Sequence, residues 1–287
     1  MTEIQVIRYN FLKREFLAAF VVIVNSFSWY FPLYFFFQDA LTESHNGFFS
    51  LLAILSIHYI GAIGAAVVGT VFARKFSSRK RFLSLWMLIG VIASAFLITL
   101  DAENVTHLVV ISLSLGISLG LGFPSGLAYF GDRSSEENRG RLGGITFLAS
   151  SVSMLTIGLL VNISTFAVGV LILTLWRGIG LFLFYLIEPK KQQEQSQTDI
   201  SYKSILLDRY FVLYYIPWVM FCLVNSFEVP IVNNFVGVEF ALLISVAEYG
   251  VGGLSALIAG QFADSVGRKR MVIIGFIMLG IGYAVLG

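Results

Sequence analysis

The sequence predicts an all-α, polytopic membrane helical bundle of about nine transmembrane helices: a complete N-terminal six-helix bundle followed by three helices of a second. Three observations predict it: composition unlike that of a water-soluble domain, apolar runs of membrane-crossing length, and basic residues confined to alternate loops. Of the 287 residues, 57% are hydrophobic and only 13% charged, and the mean hydropathy is +0.84. A soluble domain carries about 25% charged residues, so this surface is built for a non-aqueous solvent, and the lipid bilayer is its expected surroundings. The formal net charge of +2 is too small to suggest a nucleic-acid partner. The one cysteine, Cys222, lies in an apolar run and forms no intrachain disulfide.

A helix needs about 20 apolar residues to cross about 30 Å of hydrocarbon. Runs of that kind start near Phe16, Phe48, Phe82, Leu108, Leu142, Phe166, Tyr210, Val236 and Met271. The first is full length and lacks a small-residue cleavage site, so it reads as a span rather than a signal peptide. Short polar turns separate the runs, except between Glu188 and Arg209, where a stretch rich in Gln, Ser and charge reads as a hydrated linker. The expected organisation is an N-terminal six-helix bundle over 1–187, a cytoplasmic linker over 188–209, and an incomplete C-terminal bundle of three helices over 210–287.

Orientation follows from the cations. Arg8, Lys13 and Arg14 precede span 1; Arg74, Lys75, Arg79, Lys80 and Arg81 follow span 2; Arg133, Arg139 and Arg141 follow span 4; Lys190, Lys191, Lys203 and Arg209 lie in the linker; Arg268, Lys269 and Arg270 follow span 8. The opposite loops carry Asp39, Glu43, Asp101 and Glu103 and no Lys or Arg. This asymmetry predicts a multi-pass cell-membrane protein with a cytoplasmic N-terminus. A soluble protein of nine buried helices has no reason to sort charge in this way.

The chain also repeats itself. Val24-Asn25-Ser26-Phe27 in span 1 recurs as Val224-Asn225-Ser226-Phe227 in span 7. A ladder of small residues, Gly61, Ala65 and Gly69, in span 2 recurs as Gly252, Ala256 and Gly260 in span 8, and each ladder leads into a basic turn. Small residues four apart make a helix face that lets a neighbouring backbone approach closely in lipid. Spans 7 to 9 therefore restart the order of spans 1 to 3. Pro32, Pro124, Pro217 and Pro230 fall in spans 1, 4 and 7, the first helices of successive triplets. A proline frees a backbone carbonyl, which is tolerable in a span where protein or a water-filled cavity satisfies it.

The turn after span 8, Gly260 through Arg270 (GQFADSVGRKR), and the loop after span 4, with Gly131-Asp132-Arg133 and Glu136 through Arg141 leading into Gly143-Gly144, carry a resemblance. They resemble the conserved loops of the major facilitator superfamily, with Ser265 where that family usually has Arg. The resemblance covers the whole chain in span order, linker position and both loops. It implies two six-helix bundles that rock about a central site, with spans 1, 4, 7 and 10 lining the cavity. It also implies that Asp264 faces the start of span 5, where a helix N-terminus favours a carboxylate, and that Arg139 and Arg141 add charge-assisted hydrogen bonds. Gly260, Asp264, Gly267, Arg268, Lys269, Asp132, Arg139 and Arg141 would then form a cytoplasmic latch; the alternative is a solvated basic turn that only sets topology. Three departures stand out. Arg74 occupies the acidic position of the first-half loop, Gly116 stands where many proton-coupled members carry an arginine, and span 5 lacks the Gly-Pro signature of drug/proton antiporters.

Polar residues inside spans are expensive and invite functional readings. Glu248, followed by Tyr249 in span 8, reads as a coupling or substrate residue or as a structural hydrogen bond; a dehydrated carboxyl suits a proton carrier. Glu228 lies one turn beyond Asn225 and borders the expected cavity. Asn25 and Asn225, at equivalent places in the two halves, are the leading cavity candidates, with Trp29, Tyr30 and Tyr34 as aromatic walls. Arg177 lies midway along span 6, in an expected ion pair or snorkelling role ahead of substrate binding. His58 reads as a titratable site or as a packed, hydrogen-bonded histidine. The 27 phenylalanines are expected mostly to face lipid or pack.

The function expected is secondary active transport of a small-molecule substrate by alternating access, with H+ coupling an open alternative and no cofactor or metal. An intramembrane protease fits poorly. Glu136 and Glu137 lie in a loop, and His45, His58 and His107 are scattered without metal-ligand spacing. A channel needs a selectivity filter or charged ring, and none is visible. The alternative from another class is a non-transporting or split-transporter fragment: the ninth span ends with the chain at Gly287, so the sequence reads either as C-terminally truncated or as one whose missing helices come from a second chain or copy.

Overall fold

A computed structural model describes residues 14–42, 48–76, 78–188, 207–209, 211–213, 215–216, 219–220 and 241–286. Every regular element among them is helical. In chain order these are α1 (Arg14–Thr42), α2 (Phe48–Lys75), α3 (Arg79–Phe96, continued by a 3-10 turn Leu97–Thr99), α4 (Val105–Gly120), α5 (Phe123–Arg133), α6 (Arg139–Asn162), α7 (Phe166–Ile187), α8 (Ala241–Val266) and α9 (Arg268–Leu286). Six stretches are long and apolar enough to cross a membrane: Arg14–Leu41, Phe49–Lys75, Arg79–Thr99, Val105–Arg133, Arg139–Asn162 and Phe166–Ile187. They occupy the places of the first six expected spans, and α8 and α9 those of the eighth and ninth. The seventh falls mostly outside the described residues, and among the described residues six of the nine expected spans meet that measure.

The chain divides into two compact units, Met1–Lys190 with Tyr249–Gly287, and Lys191–Glu248. In the second, the described residues of the seventh stretch from Arg209 to Met220 are helical, as is the first part of α8. In the first, α1 is the hub, packing against α5, α6 and α7, while α2 pairs with α4, and α3 with α4 and α7. Burial reflects this: 67% of the apolar window of α1 is buried against 22% of that of α2. The outer face of α2 leaves Ile60 and Ile63 each 68% exposed, an arrangement stable in hydrocarbon and unfavourable in water.

Close backbone approach sets the α2–α4 pair. A Cβ at Gly116 would lie 2.1 Å from the His58 carbonyl oxygen, and one at Gly120 would lie 1.9 Å from that of Ala62. Gly116 thus has a packing reason to be glycine: an arginine there has no room. Ser112 adds a hydroxyl hydrogen bond to the Ile54 carbonyl at 2.7 Å. Gly120→Ala is expected to force the helices apart and cost about 1–3 kcal/mol, read as a lower thermal unfolding midpoint in detergent. Gly143→Ala, whose Cβ meets nothing within 4 Å, should leave the midpoint unchanged.

The fourth span is interrupted between α4 and α5 at Leu121-Gly122. A Cβ at Gly122 would sit 2.1 Å from Cγ of Trp86, whose indole N–H donates to the Ser118 carbonyl at 2.7 Å. Pro124 falls in the first turn of α5, where a missing N–H costs no intrahelical bond.

Basic helix ends gather at one end of the first unit. Arg14 donates to the carbonyls of Leu186 and Ile187, both at 2.7 Å. Lys80 donates to those of Tyr185 and Glu188, both at 2.9 Å. These cations satisfy the last carbonyls of α7 and complement the negative end of its dipole.

Candidate functional site

At the basic end, α6 begins without a cap of its own. Asn138 precedes it but makes no side-chain capping bond, although the second and third N–H groups of a helix need an acceptor. Asp264, from the last turns of α8, supplies it. Oδ1 accepts from Gly140 N–H at 2.9 Å and Oδ2 accepts from Arg141 N–H at 2.7 Å. Each bond involves a charged acceptor, worth about 1.5–3 kcal/mol, and the helix dipole adds about 0.3–1 kcal/mol. The carboxylate reaches these donors because the backbones nearly touch. A Cβ at Gly140 would lie 2.5 Å from the Gly260 carbonyl oxygen, and one at Gly144 would lie 2.6 Å from that of Ala256.

The contact face of α8 runs Gly253, Ala256, Gly260. Gly253 abuts Leu148 and Ser151 of α6, whereas Gly252, the expected first rung, meets nothing within 4 Å. The shift follows from the 3.6-residue period, which draws a straight helix face through steps of three and four rather than of four alone. Gly267, with φ of +105°, ends α8 in the left-handed conformation that glycine adopts at no steric cost. The chain then turns so that Arg268 donates to the Glu136 carbonyl.

The other expected latch residues are placed differently. Arg139 folds onto its own loop, donating to Ser134 Oγ at 3.1 Å and to the Gly131 carbonyl at 2.9 Å. Arg141 meets Asp264 through its backbone N–H. Asp132 pairs with Arg79 within the first six helices, and Lys269 is exposed. Beside them Arg133 lies 3.0 Å from Glu15 and 3.6 Å from the buried carboxylate of Glu188, which also accepts from the Tyr129 hydroxyl. This network ties α1, α5 and α7 together without Asp264.

A second polar group lies deep between α1, α3 and α7. Arg177 is fully buried. Its Nη1 donates to Asn25 Oδ1 at 2.8 Å and to Ser26 Oγ at 3.0 Å. Its guanidinium carbon lies 4.4 Å from the Trp29 ring centroid and 4.7 Å from that of Trp86, so the cation is held by two π faces. Among the described residues no carboxylate pairs with it, and its Nε and Nη2 have no hydrogen-bond partner. In place of the expected ion pair or snorkelling, the buried guanidinium lies over the rings of both Trp29 and Trp86. Asn25 completes the group, donating Nδ2 to the Trp176 carbonyl at 2.8 Å, and Trp29 donates to Ser94 Oγ at 2.6 Å. Both are buried in the helix packing rather than placed on an open wall.

His58 is also fully buried. Its Nδ1 lies 3.1 Å from the Ser112 carbonyl and its Nε2 lies 2.6 Å from the Tyr30 hydroxyl. A carbonyl only accepts, so Nδ1 carries a hydrogen, and in the neutral ring Nε2 then accepts from the Tyr30 hydroxyl. The packed reading of His58 is the one this geometry fits. Tyr34 stacks against this pair and shares a hydrogen bond with Tyr59 at 2.8 Å.

Glu248 is exposed and Tyr249 half-buried; Asn225 and Glu228 lie outside the described residues. Sequence reasoning passed over an aromatic face on α1. Phe27 stacks on Phe31 at 5.9 Å and meets Phe123 and Phe147 edge-on at 5.4 and 6.1 Å. Its signal was the i, i+4 step from Phe27 to Phe31, lost among so many other phenylalanines. Among the described residues no group of three or more His, Cys, Asp or Glu side chains is placed to hold a metal ion.

Comparison with known proteins adds one finding: a family model described as Major Facilitator Superfamily matches residues 18–287. No curated protein matches the sequence.

Proposed function

This chain belongs to the Major Facilitator Superfamily, a family of multi-pass membrane transporters, and from that premise we propose that it moves a small solute by alternating access. The observation that carries this reading is the contact of α8 with α6, in which Asp264 caps a helix far from it in sequence. Two hydrogen bonds and a row of small residues make a joint strong enough to hold one state and weak enough to part, since a coupling of a few kcal/mol suffices to shift populations. On this reading the joint lies on the cytoplasmic side of the cell membrane, the N-terminus is cytoplasmic, and bundles over 1–187 and 210–287 are joined by the linker 188–209. Tyr34, Asn225, Glu228, Glu248 and Tyr249 remain the residues proposed for the substrate path, and Glu248 carries the proton-coupled version.

Uptake into sealed membrane vesicles, against a panel of sugars, organic acids and amines with and without an imposed pH gradient, tests the reading. At least one solute class should accumulate above vesicles lacking the protein. Under proton coupling, Glu248→Gln should abolish the tenfold or greater stimulation by the gradient while solute exchange at equal concentration persists. Uptake equal to empty vesicles across the whole panel would overturn the transport reading; a gradient response intact in the Gln variant would overturn coupling through Glu248.

A further inference from the structure

Trp86 of α3 is fully buried and meets the fourth span at three places around its interruption. Its indole N–H donates to the Ser118 carbonyl near the end of α4. Cβ atoms built at Gly122 and Gly126 would lie 2.1 Å from its Cγ and 3.3 Å from its Cζ3. The Arg177 guanidinium carbon lies 4.7 Å from its ring centroid, so the indole is itself held by a buried cation. A rigid, bicyclic side chain thus stands against the break as a wedge.

The break is a weak point by its chemistry. In an unbroken helix the Gly120 carbonyl would accept from residue 124, and that residue is a proline without an N–H. On one side of the break, α4 is seated on α2 through the near-contacts at Gly116 and Gly120. On the other, α5 is an 11-residue segment, about 16 Å long at 1.5 Å per residue, that leads to the start of α6. Arg139 makes the join, donating to the Gly131 carbonyl at the end of α5 and to Ser134 Oγ just beyond it. The next two residues carry the N–H groups that Asp264 caps. Ion pairs of Asp132 with Arg79 and of Arg133 with Glu15 hold the basic end of α5. Trp86 holds its other end, and the register of the α6 start depends on both.

We propose that Trp86 is a positioning residue for the α6–α8 joint. By setting the bend at Leu121-Gly122 it fixes α5, and through α5 it keeps the Gly140 and Arg141 N–H groups in register with the Asp264 carboxylate. Opening at either place then loosens the other, because a coupling between two sites acts in both directions. The inference rests on the joint that the transport reading uses, and it gives that joint a connection to the middle of the fourth span.

The test is amide hydrogen exchange on the full-length chain in detergent. It is read at Leu121 and Gly126, which bond to the Ile117 and Gly122 carbonyls at 3.1 and 2.8 Å beside the break, and at Gly140 and Arg141. Leu173 in α7 measures general loosening. Trp86→Phe keeps a ring beside Arg177 and removes the indole donor. It should quicken Leu121 and Gly126 tenfold or more, and Gly140 and Arg141 at least threefold more than Leu173. Asp264→Asn leaves the break untouched and should quicken Leu121 and Gly126 at least threefold by the reverse route, which keeps the test decisive if the Phe variant fails to fold. In an Arg139→Gln background, the effect of Trp86→Phe at Gly140 and Arg141 should shrink below twofold while that at the break persists. Exchange at Gly140 and Arg141 that merely follows Leu173, an unchanged break in the Asn variant, or an undiminished effect in the Gln background each overturns the assignment. No solute enters these readouts: coupled exchange without uptake would remove the transport reading alone, and uptake without coupled exchange would remove this inference alone.

Discussion

Asp264→Asn is expected to weaken the α6–α8 joint by about 2–4 kcal/mol, because an amide replaces two charged acceptors with one neutral acceptor and one misplaced donor. Its Nδ2 would face a backbone N–H across the 2.7–2.9 Å now occupied by a hydrogen bond. The direct readout is amide hydrogen exchange at Gly140 and Arg141, which should quicken by tenfold or more, since Asp264 supplies the acceptor for both N–H groups at the start of α6. Gly140→Ala should do the same without touching any charge, since its Cβ would lie 2.5 Å from one backbone oxygen and 2.6 Å from Asp264 Oδ1. If both variants exchange at the wild-type rate, Asp264 is not the cap of α6 and the proposed transport cycle loses its joint.

The second large effect concerns Arg177. Truncation to alanine removes the group that fills the space between two tryptophans and orphans Asn25 Oδ1. A cost of about 3–5 kcal/mol follows, from the cavity and the lost hydrogen bonds together. The more informative comparison is Arg177→Lys with Arg177→Met. An ammonium is compact and strongly hydrated and cannot reproduce the planar guanidinium that lies over both rings, and it would keep a buried charge that no carboxylate among the described residues pairs with. Methionine keeps length and sheds the charge. Methionine should therefore be the milder change, by several degrees in unfolding midpoint. A substrate-binding cation predicts the reverse in transport, with Lys retaining activity and Met losing it, so the order of the two variants decides between the roles.

The first six spans were legible because lipid imposes a length and a composition that no other environment demands. The basic turns were legible because positive charge concentrates at one side of a membrane, and in the structure Arg14, Arg79, Arg133 and Arg268 converge at one end. Asp264 was readable as a partner for a helix start because its loop is rich in family motif. That its bonds run to the Gly140 and Arg141 backbone N–H groups, with Arg139 folded onto its own loop, was not.

Composition and periodicity alone determined that this chain lives in a bilayer as a bundle of helices, in what order they come, and where small residues allow close approach. Those properties depend on how each segment meets its solvent, which a segment reveals by itself. Only the tertiary structure decided that α1 is the hub, that Arg177 is pinned between Trp29 and Trp86 with Asn25 beneath it, and that His58 pairs with Tyr30. In a segment apolar on every side, hydropathy does not distinguish the face that meets lipid from the face that meets protein, so the direction of each polar side chain is set by which helix lies beside it.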